Sequence, residues 1–306
     1  ELASTGELPS GLGALYPWVF LAVIVGLWVK VPLFPLHLWQ PAAYAEAPTA
    51  VSMILTGVMS KMGVYAFLRI MVPIFPQGLH AYQEPLLLFA LVTILWGAFL
   101  ALRQTDLKRI LAYSSLNHVA YCMLGIFAAA GAAPTKLAEA PALALQGVTL
   151  QMFAHGITAA GLFFAVGLLE KRCGSRDINQ LGGLGKGMPL LTAFFFILTF
   201  CSLGLPFLAG FAAEFLIFSG SFALAPGITA VAVIGLLATA VFLLTVLQKV
   251  FTGSEKKAYA GLPDLSMPET VTLLPLLVLV FWVGLTPDFW LSFSDATSQL
   301  LANLLR

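Results

Sequence analysis

Charged side chains are scarce in this sequence: 9% of its 306 residues, beside 60% hydrophobic ones. Ordinary soluble domains carry about 25%, so a water-surrounded globule is excluded. Neither sign of charge dominates, and a net charge of +1 gives no handle for nucleic acid or an acidic partner. Cysteine is scarce too. Cys122, Cys173 and Cys201 have no CxxC or metal-like spacing, so each reads as a small apolar packing residue, and no redox cofactor or metal site follows from them. Strict period-2 alternation of apolar residues is missing, which argues against a β-barrel. The chain begins at Glu1, with no charged region ahead of a short apolar core, so it does not open on a signal peptide.

What is present is length without charge. Between Arg109 and Lys136 no acidic or basic side chain occurs except His118, and Glu214 to Lys249 encloses 34 residues without one charged side chain. Each run exceeds the roughly 20 residues that cross a bilayer core as helix. The class is therefore an all-α polytopic membrane protein. Apolar segments fall at 15–45, 49–72, 84–103, 107–130, 143–170, 189–222, 227–251 and 270–290. Prolines and glycines interrupt the first at Val31–Pro35 and the sixth at "LGLPFLAG", Leu203–Gly210. Counting each interrupted segment once predicts eight crossings with both ends on one side.

Loop charge supports that count, because short cytoplasmic loops collect Lys and Arg. One side gathers ten basic residues (Arg103, Lys108, Arg109, Lys171, Arg172, Arg176, Lys186, Lys249, Lys256, Lys257), the other three (Arg69, Lys136, Arg306). The basic side is then cytoplasmic, or the matrix or stroma of an organelle. The interruptions lie 174 positions apart (Leu205 minus Val31) and cross in opposite senses. That is the pattern of inverted repeats built around discontinuous helices. It divides the chain into the end of a first repeat (1–72), a complete second repeat (73–251) and a loop with a final crossing (252–306). The first repeat is expected to begin outside this sequence.

Ionisable residues at membrane depth are costly and usually functional. Lys61 lies mid-segment, too far from either end for its stem to reach water; the plain alternative is a lysine bonded to neighbouring carbonyls or a carboxylate. Lys30 sits where the first crossing breaks, and a broken helix frees carbonyls and makes room for water. Glu214, just past the second break, is the only acid between Asp177 and Glu255. His118 and His155 each lie within a crossing, as packing residues or as relays. His37 and Glu46 are expected to face water, His80 to sit in a solvated loop, and Met53, Met59 and Met62 to be core. "QTDLKR" (Gln104–Arg109) and "EKRCGSRD" (Glu170–Asp177) read as ordinary charged loops. "GGLGKG" (Gly182–Gly187) is no phosphate loop, since no strand precedes it and no Ser or Thr follows its lysine.

Four stretches, "KVPLFPLHLWQPAAYAEAPTAVSMILTGVMSKMGVYAFLR", "QTDLKRILAYSSLNHVAYCMLGI", "LQMFAHGITAAGLFFAVGLLEKR" and "GLPFLAGFAAEFLIFSGSF", resemble the antiporter-like membrane subunits of respiratory complex I, and most of all their chain 4 (subunit M) type. They are also similar to subunits of cation/proton antiporters. The resemblance runs from about residue 15 to the end. It implies a fold of fourteen transmembrane helices in two inverted five-helix repeats, of which this chain would supply helices seven to fourteen, N-terminally truncated. Lys30 then matches the central lysine of the first broken helix, Lys61 the lysine of the next helix, His118 and His155 relay positions, and Glu214 the acid of the second broken helix. A glutamate on an earlier family helix, thought to pair with the lysine at position 30, has no counterpart here. "GAAPTKLAEAPALA", near 131–144, is longer than is usual in the family.

The implied function is proton translocation within an NADH:quinone oxidoreductase, a translocase whose redox chemistry lies in other subunits. No cofactor is expected in this chain. Expected partners are the other membrane subunits, neighbouring antiporter-like ones included, and the lipid bilayer. Location would be the bacterial inner membrane or the mitochondrial inner membrane. Two alternatives stay open: a subunit of a multi-subunit Na+/H+ antiporter, or a non-conducting structural fragment.

Overall fold

The computed structural model describes residues 13–131, 139–253 and 256–305. Lys136, Glu255, Arg306 and half of the stretch near 131–144 lie outside the described residues. The described chain is helical, and its one β-bridge joins Asp106 to Asp177. In chain order the main helices are α1 (Tyr16–Lys30), α2 (Trp39–Glu46), α3 (Thr49–Ile74), α4 (Gln83–Arg103), α5 (Leu107–Ala129), α6 (Ala140–Cys173), α7 (Pro189–Ser202), α8 (Ala209–Leu224), α9 (Pro226–Thr252), α10 (Met267–Leu285) and α11 (Asp295–Leu304).

Seven spans are long and apolar enough to cross a membrane, α1 being counted together with the turn before it as Gly13–Lys30. α7 and α8, 14 and 16 residues, are each short of the roughly 20 needed and together make the second discontinuous crossing; α1 and α2 make the first. Local chemistry sets the ends. Asp106 caps α5 by accepting the Arg109 N–H at 3.1 Å, Gly174 ends α6 in the left-handed region at φ 68°, and the Ser266 N–H is held by Glu269 at 2.8 Å where α10 starts. α3 contains two π-helical turns, Leu55–Met59 and Phe67–Met71.

The fold is apolar on its outside. Of the apolar window of α5, 94% is buried, against 17% for α1 and 22% for α10, which makes α5 the central helix. Val58, Met62 and Tyr65 on α3 point outward, as suits a lipid-facing surface. The expectation that the methionines of α3 are core is corrected on this point: Met59 and Met62 are exposed and Met53 is half-buried.

At the first interruption Pro32 and Pro35 cannot donate backbone hydrogen bonds. Side chains take up the freed groups: Trp28 Nε1 donates to the Phe34 carbonyl (3.0 Å), Trp39 Nε1 to that of Val29 (3.1 Å), and the Phe34 N–H reaches Thr93 Oγ1 (3.0 Å). At the second, Gly204 and Phe207 adopt left-handed backbone at φ 67° and 75°. α8 then returns so close to α7 that a Cβ on Gly210 would run into the Cys201 carbonyl.

Candidate functional site: a buried line of ionisable side chains

α3 approaches the first break through Gly63, where a side chain would meet Val31 and the Lys30 carbonyl carbon. Two residues before that glycine, Lys61 turns inward. Its ammonium donates to the Thr56 carbonyl and lies 2.7 Å from His155 Nδ1 on α6. The π turn at Leu55–Met59 places that carbonyl one turn below the lysine, a use of π-bulges common at functional sites. Ser60 Oγ shares the same carbonyl at 3.0 Å, and Thr56 Oγ1 meets Ser115 of α5 at 2.8 Å.

From His155 the line continues to His118, whose ring centroid is 4.8 Å away. His118 Nδ1 is 2.9 Å from Glu214 Oε1. All four side chains are buried: Lys61 9%, His155 6%, His118 2% and Glu214 5% exposed. Gln151, one helical turn before His155 on α6, points its amide at both His118 Nδ1 (3.2 Å) and Glu214 Oε1 (3.4 Å). One amide N–H serves either state. It donates to the imidazole nitrogen when that is bare, and to the carboxylate when the imidazole proton occupies the short contact.

The second break shapes the far end. A Cβ at Gly204 would come 2.9 Å from Glu214 Oε2. Cys201 Sγ accepts from Thr158 Oγ1 (3.2 Å) and from the Gly210 N–H (3.3 Å) at the start of α8, filling the place of a helix cap. Cys201 thus does more than pack. A cavity of about 10 Å³ lies among His118, Gln151, His155, Cys201 and Glu214, room for about one water molecule. Among the described residues no group of three or more His, Cys, Asp or Glu is placed to hold a metal ion.

Four of the five expected site residues therefore meet, and Lys30 does not join them. It ends α1 half-buried, and none of the site's hydrogen bonds or ion pairs reaches it. His37, expected to face water, is 1% exposed; neither ring nitrogen has a hydrogen-bond partner, and the same holds for the amide of Gln40. Leu36, Leu38 and Trp39 around them face outward, so the chain from the turn into the start of α2 points His37 and Gln40 inward. Glu46 is exposed, 3.6 Å from Arg109. His80 is exposed as expected, but it lies in a short helix, Pro76–Ala81, with Nδ1 3.0 Å from the Ala130 carbonyl.

Sequence reading passed over Gln151, Thr56 and Ser115. Spacing offered a signal for two of them, since Gln151 stands four residues from His155 and Ser115 three from His118, each on a shared helix face. The two "ordinary" charged loops also need correction. Lys108 is 3% exposed, 3.1 Å from Glu170, and Arg176 bridges Asp106 (3.0 Å), Glu170 (3.6 Å) and the Ala45 carbonyl (2.8 Å) at the end of α2.

Comparison with known proteins identifies the family and the fold. Residues 13–241 match the family described as NADH:quinone oxidoreductase/Mrp antiporter, transmembrane. The chain is 36% identical to the F(420)H(2) dehydrogenase subunit M of Methanosarcina mazei, covering 95% of this chain and 58% of that protein. It is 35% identical to the NADH-quinone oxidoreductase subunit M of Escherichia coli K12, covering 94% and 54%. A chain of respiratory complex I from Thermus thermophilus superposes with a TM-score of 0.85 at 32% identity, over 94% of this chain and 59% of that one. The chain spans a little over half the length of the curated relatives it matches.

Proposed function

The chain belongs to the NADH:quinone oxidoreductase/Mrp antiporter transmembrane family, and on that premise we propose that it carries protons across an energy-transducing membrane along Lys61, His155, His118 and Glu214. The observation that carries this reading is the continuity of the line. Contacts of 2.7 Å (Lys61 to His155) and 2.9 Å (His118 to Glu214) flank a pair of imidazoles 4.8 Å apart, all sealed from the surface. A buried charge that only stabilised the fold would be better replaced by apolar packing. Ionisable groups set this closely through an apolar interior, with a water-sized cavity beside the one step between the two imidazoles that no direct hydrogen bond spans, are what proton relays require.

In this scheme the Lys61 ammonium gives a proton to the bare Nδ1 of His155. The imidazoles pass it on, and Glu214 accepts it from His118 Nδ1. Gln151 reorients its donation as the proton arrives. Lys30, at the other break, acts on the line through its charge, not through contact. Redox chemistry lies in partner subunits of a complex I-type assembly in a bacterial or mitochondrial inner membrane, and this chain responds to it electrostatically.

The test is proton pumping by the assembled complex in proteoliposomes. Lys61→Ala and Glu214→Gln should each lower pumping on the order of 10²-fold or more, the size expected for loss of a group that transfers the proton. Full pumping in either variant overturns the assignment. Pumping that depended on a sodium gradient would move the chain to the antiporter reading.

A further inference from the structure

A relay that ends on a buried carboxylate needs a way out, and the structure holds buried hydroxyls on one side of Glu214 that the line above does not use. His118 Nε2, the ring nitrogen turned away from Glu214, has no hydrogen-bond partner. One turn further along α5, the Tyr121 ring stands at 88° to the His118 ring with centroids 5.5 Å apart. Tyr121 is 0% exposed. Its hydroxyl lies beside Thr239 and Asn117, which are hydrogen-bonded to each other (3.1 Å), and makes no bond within geometric limits; it also borders Gly235 of α9, where Ile94 fills the space a side chain would take.

Two more hydroxyls without partners continue in the same direction. Ser221 lies seven residues past Glu214 on α8 and is 0% exposed; Thr229, in the first turn of α9, is 1% exposed. Seven residues are two helical turns, so Ser221 stands on the face of Glu214, about 10 Å nearer the α8–α9 hairpin. That hairpin lies at the end of the molecule opposite the basic loops. Gly220 packs against Ala140 and Ala144 at the start of α6, whereas Lys171 and Arg172 stand at its other end.

We propose that protons leave the His118–Glu214 centre through His118 Nε2, then Tyr121 and Ser221, toward Thr229 and the membrane face opposite the basic loops. This rests on the proton-relay reading above and assigns its release leg. Imidazole is suited to it: as Nε2 gives its proton toward Tyr121, the protonated Glu214 returns its own to Nδ1, which leaves the ring neutral and the carboxylate free for the next proton. Each hydroxyl accepts a proton on oxygen and releases its own, with water between stations. One proton moves, only N–H and O–H bonds form and break, and no electrons change hands.

The argument turns on a sign. A hydroxyl buried without a partner costs stability, so if these groups were only structural their removal would be neutral or stabilising and would leave transport intact. In the assembled complex, Tyr121→Phe and Ser221→Ala should each slow proton release on the order of tenfold, below the ~10²-fold effect of losing a principal transfer group, with the unfolding temperature unchanged or raised. Full pumping in both variants, with Glu214→Gln stopped, overturns the release route and leaves the relay reading standing. Full pumping in Glu214→Gln overturns the relay reading itself. A lowered unfolding temperature in Tyr121→Phe would show the hydroxyl to be a structural bond and would also overturn the route. Ser221→Ala, a smaller change in the same line, decides the matter if Tyr121→Phe fails to assemble.

Discussion

At the first interrupted crossing, Lys30 ends its helix half-buried and outside the hydrogen-bonded line, while Trp28, Trp39 and Thr93 hold the loosened backbone. At the second, Glu214 sits 5% exposed, 2.9 Å from His118, with Gln151 behind it and Gly204 pressed against it. Both places use the same device, a helix broken by proline and glycine beside an ionisable residue. The difference lies in what surrounds them. α1 borders the outside of the bundle, whereas α8 packs closely against α6, which with α5 supplies the histidines. A break confers a connected site only where central helices bring partners to it; at the rim it leaves a charge that acts at a distance.

The largest test of that contrast is glycine substitution. Gly210→Ala should destabilise the protein by about 3 kcal/mol or more, because the added carbon meets the Cys201 backbone carbonyl and neither half-helix is free to retreat. Gly63→Ala, on the helix facing the first break, should cost less, about 1–2 kcal/mol, since the nearest atom is the Cγ2 methyl of the buried Val31 at 2.6 Å, a side chain, and the nearest backbone atom, the Val31 nitrogen, is 3.2 Å away. Thermal unfolding of the two variants in detergent gives the ranking. Equal losses would mean the two breaks are equally tight, and the comparison would fail.

Next in size is the sulfur that ties the second break together. Cys201→Ala leaves the Gly210 N–H buried without an acceptor and should cost about 2 kcal/mol, whereas Cys201→Ser keeps an acceptor and should recover most of that. At the first break the comparable bond runs from the Phe34 N–H to the buried Thr93 Oγ1 at 3.0 Å. Trp28→Phe there removes only the bond to the Phe34 carbonyl and should cost about 1 kcal/mol. Unfolding midpoints again give the readout, and a Trp28 effect larger than that of Cys201→Ala would invert the order.

The crossings, both interruptions and the four joined residues were legible in the sequence, because each rests on a local rule: run length, proline and glycine placement, and the cost of charge at membrane depth. What escaped it depended on packing direction. The sequence marks Met59 and Met62 as apolar without saying that they face outward, and it marks His37 as polar without saying that it turns inward while Leu36 and Leu38 face out. Lys108 looked like loop charge, since nothing local records that Glu170, 62 positions away, returns to lie 3.1 Å from it. Gln151 is uncharged, so a search for ionisable groups passes it by, although its spacing to His155 places it on the site.

The smallest expected structural effect falls on Lys30, and it separates the two breaks most sharply. Lys30→Met removes a half-buried charge that shares no hydrogen bond or ion pair with the buried line, so unfolding should shift by no more than about 0.5 kcal/mol, as for a substitution away from any network. Pumping should still fall on the order of tenfold, because a positive charge near the Gly63 contact biases where a proton rests on Lys61 without touching it. Glu214→Ala should behave in the opposite way, losing stability as well as transport, since His118 and Gln151 are left buried without their acceptor. If Lys30→Met lost several kcal/mol of stability, its charge would be part of the packing after all. If it pumped at the full rate, the first break would be an architectural bend in the crossing, and the second would be the site of proton transfer on its own.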